Sequence, residues 1–570
     1  MAMAQDVVAR EPARPVVRTE NVLRTGACVV LLAILAVLIV MPLYALLSQS
    51  LEDADKHFIG LGNFVRYANN PGLVQSVYNS LFVSIAVTAI TVPLAFGYAY
   101  ALTRSCMPAK TIFKGIALLP ILAPSLLPAI SLTYMFGNQG FMRGLLAGHS
   151  IHGPIGIIMA QVFHCFPFGV LIIGTALGIS DGRLYEVAQT FSTPKWRVFW
   201  TITLPAVRYG LISACFVIFT TAIVDFGVAK VIGGSYNVLA IEIFKQIIGQ
   251  QNFQMGAVIG VLLLLPALLT FVIERYVNKR QMSQLTARAV LYQPKPNRLF
   301  DLAMFGFVVV IAFCILGVNA VAVFASFFKL WPYDLSFSLD SYDFAAFDPG
   351  GWSSYWNSIV MASAAALFGT VLTFGGAYLV EKSPIPTLLR SLLHILAMIP
   401  IAVPGIVLGL GYVFFFNDPE NPLGFLYYTM TILVMCSIAH YYTIPHLTAL
   451  TALKQVDKEF EAVSQSLGVP FWVTLRRVTI PISLPVILDV ATYIFVNAMT
   501  TVAAVIFIYS PQNKLASIAV IAMEDTGDTG AACAMAMMIL YTSVAVKLVQ
   551  IALSKLLFPK LQLWRHPDAS

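Results

Sequence analysis

The sequence has 570 residues, of which 59% are hydrophobic and only 11% are charged, and its formal net charge is +7. This composition excludes an ordinary soluble domain, in which about a quarter of the residues are charged. It predicts an integral membrane protein, and the small positive charge then reflects the sidedness of the loops rather than binding to nucleic acid.

Twelve apolar runs are long enough to cross a bilayer, since a helix needs about 20 residues to span a hydrocarbon core of about 30 Å. They are predicted at residues 27–47, 81–102, 112–136, 156–177, 207–228, 256–277, 302–327, 359–380, 392–416, 429–450, 485–508 and 531–553. The predicted fold is therefore an all-α polytopic membrane protein with twelve transmembrane helices.

Lysine and arginine are distributed unequally between the two sides of this topology. With the N-terminus in the cytoplasm, all but seven of the 34 basic residues fall on the cytoplasmic side. Cytoplasmic loops carry an excess of positive charge, so both termini are predicted to be cytoplasmic. The polar N-terminus precedes an apolar run too long for the core of a signal peptide, which indicates a retained anchor.

The chain carries an internal repeat. Residues 186–205, EVAQTFSTPKWRVFWTITLP, align with residues 462–481, AVSQSLGVPFWVTLRRVTIP, at a spacing of 276 positions, so that Pro194 falls on Pro470. Each copy is a polar segment between apolar runs, with a proline break inside it and a helix-stopping proline at its end. The pattern predicts a short helix held against the membrane by its flanks, on which a soluble partner docks.

The repeat divides the chain into two halves with six predicted spans each. Residues 26–277 form the predicted first half and residues 301–555 the second. Between them, residues 278–300 are rich in basic residues and prolines, which predicts a cytoplasmic linker. Cytoplasmic tails are predicted for residues 1–25 and 556–570.

The two copies resemble the EAA loop of ABC importer permeases, whose pattern is Glu-x-Ala-x3-Gly-x9-Ile-x-Leu-Pro. The first copy matches at five positions and has serine at the glycine position: Glu186, Ala188, Ile202, Leu204, Pro205 and Ser192. The second copy keeps the glycine and the final proline and has apolar replacements between them: Gly468, Pro481, Val478 and Ile480. Its Glu461 lies one residue before the glutamate position, which Ala462 occupies. The alternative interpretation is a pair of ordinary amphipathic loop helices.

The resemblance implies two fused MetI-like permease halves, with cores at about residues 78–277 and 355–553. In that family the loop forms a coupling helix that sits in a groove of the ATPase subunit. The implied partners are therefore ABC ATPase subunits in two copies, a periplasmic solute-binding protein and membrane lipid, without a nucleic-acid partner.

No phosphate-loop motif, HExxH motif or dinucleotide fingerprint indicates catalysis by this chain, so it is not predicted to be an enzyme. Its seven cysteines lack CxxC spacing, so neither a metal site nor a cofactor is predicted. The energy for transport must then come from a partner or from an ion gradient. A secondary transporter with six plus six spans is the alternative, although such carriers hold more ionisable residues within their spans. A channel is a third alternative, but no filter-like repeat is present.

Six residues within the apolar runs are candidates for a translocation path: Pro124, Pro404, His164, His440, Asp225 and Asn497. Proline kinks a membrane helix and frees carbonyl groups, with irregular packing as the alternative. The histidines occupy one repeated position, and a neutral ring bonded to a backbone carbonyl is the alternative to a functional role. Asp225 is a candidate contact for a cationic solute group, with an ion pair to Lys230 as the alternative.

The solute is suggested only by resemblance. Fused permeases of this length are similar to those for ferric iron, thiamine and phosphonates. The stretches AMTTVAAVIFIYSP and QVFHCFPFGVLIIGTALGISDGRLYEVAQTF look most like those of 2-aminoethylphosphonate permeases. This implies import of 2-aminoethylphosphonate, with ferric iron or thiamine as alternative solutes.

Overall fold

The computed structural model describes residues 15–284, 290, 292–330, 333–457 and 459–557. Predicted tail residues 1–14 and 558–570, and linker residues 285–289 and 291, lie outside the described residues. Nearly all regular structure in the described part is helical, apart from one antiparallel pair formed by β1 (Phe328–Leu330) and β2 (Asp334–Phe337).

The helices of the first half are α1 (Pro15–Leu35), α2 (Met41–Leu51), α3 (Gly62–Ala68), α4 (Pro71–Arg104), α5 (Lys110–Leu118), α6 (Leu126–Phe136), α7 (Pro154–Gly178), α8 (Arg183–Thr190), α9 (Lys195–Val198), α10 (Leu204–Val224), α11 (Gly227–Ile232), α12 (Leu239–Phe244) and α13 (Phe253–Gln284). Those of the second half are α14 (Arg298–Phe327), α15 (Phe344–Phe347), α16 (Trp352–Lys382), α17 (Thr387–Met398), α18 (Gly405–Phe416), α19 (Met430–Tyr441), α20 (Thr443–Gln455), α21 (Glu459–Ser466), α22 (Phe471–Thr474), α23 (Ile480–Thr500), α24 (Ala516–Thr526) and α25 (Thr529–Leu557). Helical structure therefore enters the predicted N-terminal tail at Pro15 and both ends of the predicted linker.

The predicted all-α membrane fold is confirmed, but not every predicted span is continuous. Within the described residues, nine helices are long and apolar enough to cross a membrane, and two bent helix pairs raise the count to eleven. The remaining predicted span, 429–450, is divided at Tyr442 into α19 and α20. Pro445 accounts for this break, because it has no N–H to donate to the carbonyl four residues earlier.

The two bent pairs occur where the sequence places Pro124 and Pro404. The helix directions change by 99° in the first half and by 113° in the second. Ala123 and Val403, which precede these prolines, have extended backbones with ψ angles of 146° and 116°. A residue before proline is driven out of the helical region by the proline ring, so both predicted kinks become full breaks.

The first span of each half packs on the other half. Helices α1 and α2 contact α16, α17 and α18, while α14 contacts α4, α5 and α6. The Tyr412 hydroxyl of α18 donates to the Leu38 carbonyl at 2.9 Å, which fixes the first of these crossings. The two halves are therefore interlocked by an exchange of their first spans.

The repeat is reproduced residue by residue around the two loops. Helices α8, α9 and α10 have the same bounds as α21, α22 and α23 after a shift of 276 positions. A five-residue π-helical turn precedes α10 and α23 at equivalent positions, namely Phe199–Thr203 and Leu475–Thr479. We call the segments 183–198 and 459–474 the first and second coupling loops, and the side of the molecule that carries them the loop side.

Candidate functional site

A cavity of about 330 Å³ lies between the two halves, where the broken helix pairs meet α7, α10, α19 and α23. Five of the predicted path residues line it: His164, Asp225, Pro404, His440 and Asn497. Pro124 is not among its lining residues, although its neighbours Ala123 and Ser125 are. The breaks at the prolines therefore place irregular backbone against a cavity, where freed polar groups are tolerated at membrane depth.

Asp225 is the only carboxylate among the described residues that line this cavity. Its Oδ1 accepts a hydrogen bond from the Val228 N–H at 2.8 Å and so caps α11. The side chains of Ser125, Gln161 and His164 also interact with the carboxylate. The alternative pair with Lys230 is not formed, because the Lys230 ammonium lies 3.0 Å from Asp525 of the second half.

The second half contributes neutral polar groups to the same cavity. They are Tyr441, Thr443, Tyr493, Asn497, Thr500 and Thr501. Thr501 aligns with Asp225 in the repeat, and the Asn497 amide donates to the Tyr493 carbonyl at 2.8 Å. One wall therefore carries a carboxylate, whereas the opposite wall offers hydroxyl and amide groups.

The two repeated histidines both line the cavity, and among the described residues neither pairs with a carbonyl through Nδ1. In the described part of the chain, the Nδ1 atoms of His164 and His440 are buried without a hydrogen-bond partner. Gly405 makes room for the second ring, since a Cβ there would lie 3.1 Å from Nε2 of His440. Both imidazoles thus keep hydrogen-bonding capacity next to the cavity.

Each coupling loop contains a left-handed residue at the motif's glycine position. Ser192 has a φ of 49° and Gly468 a φ of 66°. In the first loop this residue follows the end of α8, and the Thr193 N–H after it donates to the Ala188 carbonyl at 2.9 Å, which forms a helix C-cap. The second loop closes in the same way, and such caps favour glycine because a Cβ is strained there.

Substitutions at the two left-handed positions are expected to change stability in opposite directions. Gly468→Ala is expected to cost about 1 kcal/mol, because alanine is strained at this φ and nothing else lies within 4 Å of its Cβ. Ser192→Gly should stabilise the chain by a smaller amount, since glycine also makes the unfolded chain more flexible. Thermal unfolding of the purified protein measures both. Gly375→Ala in α16, which also meets no neighbour, is the control; an equal effect there would contradict the backbone argument.

The remaining motif residues occupy distinct environments. Glu186 is exposed in the first turn of α8, where a negative charge suits the helix dipole, and Ala188 is buried beneath it. Leu204 and Ile480 are half-buried at the starts of α10 and α23, and Pro205 and Pro481 follow them as exposed residues of the first turn. Glu461 is half-buried and pairs with Lys382 at 3.3 Å, whereas exposed Ala462 occupies the position of Glu186.

Large apolar side chains are exposed at four equivalent positions of the two loops. The pairs are Leu184 and Phe460, Val187 and Val463, Phe191 and Leu467, and Trp196 and Trp472, with between 42% and 78% of each residue exposed. We call these eight residues the apolar docking face. The motif pattern does not include them, but a comparison of the two copies for shared apolar positions could have found them. Exposed apolar clusters of this kind mark interaction sites.

Two ion pairs join the halves on the side opposite the loops. The ion pair of Lys230 with Asp525 joins α11 to α24, and Lys56 pairs with Asp418 at 3.3 Å. Beside Asp525, one carboxylate oxygen of Glu524 is buried without a hydrogen-bond partner in the described structure. Burial, together with the nearby Asp525 charge, raises the pKa of Glu524 to about 7.

Neutralising Glu524 is expected to stabilise the protein at alkaline pH. The folded pKa lies above the usual glutamate value of 4.5, so the wild type is least penalised at low pH and loses stability as the pH rises through about 7. Glu524→Gln removes this penalty and should raise the free energy of unfolding by roughly 3 kcal/mol at pH 8 and by less than about 1 kcal/mol at pH 5. Unfolding curves of both proteins at the two pH values measure this. The same difference at both pH values would contradict the assignment.

One group of potential metal ligands occurs in the described chain, formed by Asp53, Asp55 and His57. The Asp53 carboxylate accepts the backbone N–H groups of Asp55 and His57 at 3.0 and 2.9 Å, which lowers its pKa. These bonds are typical of a capped turn. The cluster is therefore explained by local loop structure.

The fold and the duplicated loops define a multi-pass membrane transport protein, and comparison with known families names its class. The chain belongs to the family described as binding-protein-dependent transport system inner membrane component, which matches residues 92–283 and 365–561. The resemblance to ABC importer permeases is thus confirmed in both halves. This family membership makes the chain an inner-membrane transport component rather than an enzyme.

Several relatives match over most of the chain. The chain is 27% identical over 546 residues to the ferric transport system permease protein FbpB of Actinobacillus pleuropneumoniae, covering 91% of this chain and 77% of the relative. It is 24% identical over 508 residues to the Fe(3+)-transport system permease protein FbpB 2 of Haemophilus influenzae, covering 86% and 92%. Both relatives are named as ferric permeases. Their names do not support the predicted resemblance to 2-aminoethylphosphonate permeases.

A solved structure also matches part of the chain. It is a bacterial alginate ABC transporter in complex with an alginate pentasaccharide-bound periplasmic protein, with 17% identity and a TM-score of 0.36. The match covers 44% of this chain and 91% of the other.

Proposed function

We propose that this chain is the permease subunit of an ABC importer, in which separate ATPase subunits dock on the two coupling loops. The observation that carries this proposal is the apolar docking face, whose four exposed positions recur at the same spacing as the loops themselves. A pair of equivalent surfaces suits two copies of one partner. The docked side is then cytoplasmic, as the charge bias predicts, and a periplasmic binding protein delivers solute to the other side.

The central cavity is the proposed resting place of the solute on its way through the membrane. It lies between the halves, which the ion pairs of Lys230 and Lys56 join on the side opposite the loops. Closure of the ATPases would push the coupling loops together and rock the halves, which would separate those ion pairs and open the cavity outward. Return of the loops would then open it toward the cytoplasm.

The first candidate solute is ferric ion, which the names of the two long relatives support. A carboxylate and phenolic oxygens suit a hard cation, and Asp225, Tyr441 and Tyr493 offer them in the cavity.

The second candidate is 2-aminoethylphosphonate, and the unequal walls of the cavity favour it. One carboxylate, Asp225, suits the ammonium group of this zwitterion. The hydroxyl and amide groups of Thr500, Thr501 and Asn497 on the opposite wall suit its phosphonate.

Reconstitution tests the function and the solute together. The chain is co-expressed with its candidate ATPase, placed in liposomes, and supplied with binding protein loaded with ferric ion or with 2-aminoethylphosphonate. ATPase stimulation and uptake with one loaded form only would support the importer and identify the solute. If no ATPase co-purifies and uptake instead follows a proton or sodium gradient, the chain is a secondary carrier and the proposal fails.

A further inference from the structure

Each coupling loop touches a buried basic residue that ends the helix containing the second span of its own half. Arg104 is the last residue of α4 and is 6% exposed. Lys382 is the last residue of α16, and its side chain is 2% exposed. A buried cation is costly unless neighbouring groups compensate its charge, so the contacts of these two side chains have energetic weight.

Both cations are held in the same way by the end of the fourth span. The Arg104 guanidinium donates to the Leu177 carbonyl at 3.1 Å and to the Ser180 hydroxyl. The Lys382 ammonium donates to the Val456 carbonyl at 2.7 Å. Ser180 and Val456 align under the repeat spacing of 276, so each cation ties the second and fourth spans of its half together.

The third contact of each cation is a residue of the coupling loop, and it differs chemically between the halves. The Arg104 guanidinium stacks over the ring of Tyr185, 4.8 Å from its centroid. The Lys382 ammonium lies 3.3 Å from the Glu461 carboxylate. Tyr185 and Glu461 are also equivalent under the spacing of 276, so one loop position compensates a buried cation with an aromatic ring and the other with a carboxylate.

The compensation in the first half is shared with the linker. Tyr292 stacks on the same guanidinium at 4.2 Å, and its ring lies 4.6 Å from that of Tyr185. The Gly182 N–H donates to the Val290 carbonyl at 2.7 Å, which holds the linker against the first coupling loop. The second coupling loop also contacts a cation outside its own half: Arg24 of α1 stacks on Phe471 of this loop and pairs with Glu20 at 3.6 Å.

We propose that Tyr185 and Glu461 are positioning residues that transmit movement of the coupling helices to the second and fourth spans. The proposal rests on the proposed function, because the movement is supplied by the docked ATPases. Since Tyr185 and Glu461 face the buried cations while the apolar docking face points outward, a displaced coupling helix must carry the ends of both spans with it. What each position requires is a group that attracts a buried cation, not a particular side chain.

Substitution of Tyr185 by an acidic or a basic residue distinguishes compensation of the Arg104 charge from simple packing. Tyr185→Glu gives Arg104 a carboxylate partner, as Lys382 has, and is expected to keep at least half of the ATPase stimulation by loaded binding protein. Tyr185→Lys places a second cation beside Arg104 and is expected to lower that stimulation about tenfold or more. Thr111→Glu and Thr111→Lys, at an exposed position of α5 outside the coupling loops, are the controls and should differ by less than about twofold. Equal losses in the two Tyr185 variants would overturn the proposal.

The second half allows the reciprocal exchange. Glu461→Lys is expected to fail as Tyr185→Lys does, because it faces Lys382 across 3.3 Å. Glu461→Tyr combined with Lys382→Arg rebuilds the arginine and tyrosine stack of the first half and is expected to restore stimulation to within about threefold of wild type. A double variant as defective as Glu461→Lys would argue against interchangeable compensation.

A second measurement does not depend on the ATPase. Arg197 is exposed just beyond α8, so an arginine-specific protease added to membranes open on the loop side reports how firmly the first coupling loop is held, and it does not cut at a lysine introduced at position 185. Cleavage there is expected to be several times faster in Tyr185→Lys than in Tyr185→Glu or wild type. Wild-type protein that recruits no ATPase would defeat the proposed function, while equal cleavage rates in both Tyr185 variants would defeat the positioning role.

Discussion

Aspartate at Val187 and Val463 together is expected to prevent ATPase subunits from binding to the permease. Both valines are more than half exposed at equivalent positions of the apolar docking face. A partner that covers them would have to bury two carboxylates without compensating charges, at a cost of roughly 2 kcal/mol each. The double variant should therefore bind the ATPase at least about 100-fold more weakly than wild type.

Co-purification and titration of the ATPase against detergent-solubilised permease measure this loss. Thr111→Asp with Thr387→Asp is the matched control, since these exposed polar positions on α5 and α17 lie outside the coupling loops and are equivalent in the repeat. The control should bind normally. The single variants Val187→Asp and Val463→Asp then compare the two loops, and unchanged binding in the double variant would exclude this face as the ATPase site.

Asparagine at Asp225 is expected to lower solute uptake at least tenfold while ATPase binding persists. The carboxylate both caps α11 and faces the central cavity. Asparagine caps helices as well as aspartate does, so this substitution preserves the local fold and removes only the charge offered to a cationic solute. Loss of one charge-assisted contact accounts for about a tenfold change.

Uptake into liposomes with increasing concentrations of loaded binding protein measures the effect. Asp489→Asn is the control, because Asp489 also belongs to an apolar helix but does not line the central cavity. Uptake that is unaffected by Asp225→Asn would remove this residue from the solute path and leave it as a helix cap. A loss shared by both variants would point to a general effect of removing acidic groups.

Some features of this fold follow from local chemistry and could be predicted from the sequence. Proline disfavours the helical backbone of the residue before it, so Pro124 and Pro404 predicted kinks at the positions where the helices beside the cavity break. The spacing of 276 likewise predicted two equivalent loops, because similar sequences lie between apolar spans of similar length in both halves. Apolar runs of the necessary length predicted the membrane helices, although a run such as 429–450 did not show that Tyr442 interrupts it.

Other features depend on contacts between distant residues and left no readable pattern. Glu461 was predicted to be a coupling residue although it lies one position before the motif glutamate, and its partner Lys382, 79 positions away, could not be predicted from the motif. The gathering of Asp225, His440 and Asn497 around one cavity depends on how the halves pack. The hydropathy of a span does not indicate which other spans it packs against, so the exchange of first spans could not be predicted from the sequence.

That exchange has a consequence for how the protein is made. Helix α2 ends at Leu51, but α18, which packs against it, begins only at Gly405. At a synthesis rate of roughly 5–20 residues per second, the first span waits on the order of 20 to 70 s in the membrane before its partner is made. Biogenesis must keep α2 from pairing wrongly during this interval, and the first half reaches its final packing only when most of the chain has left the ribosome.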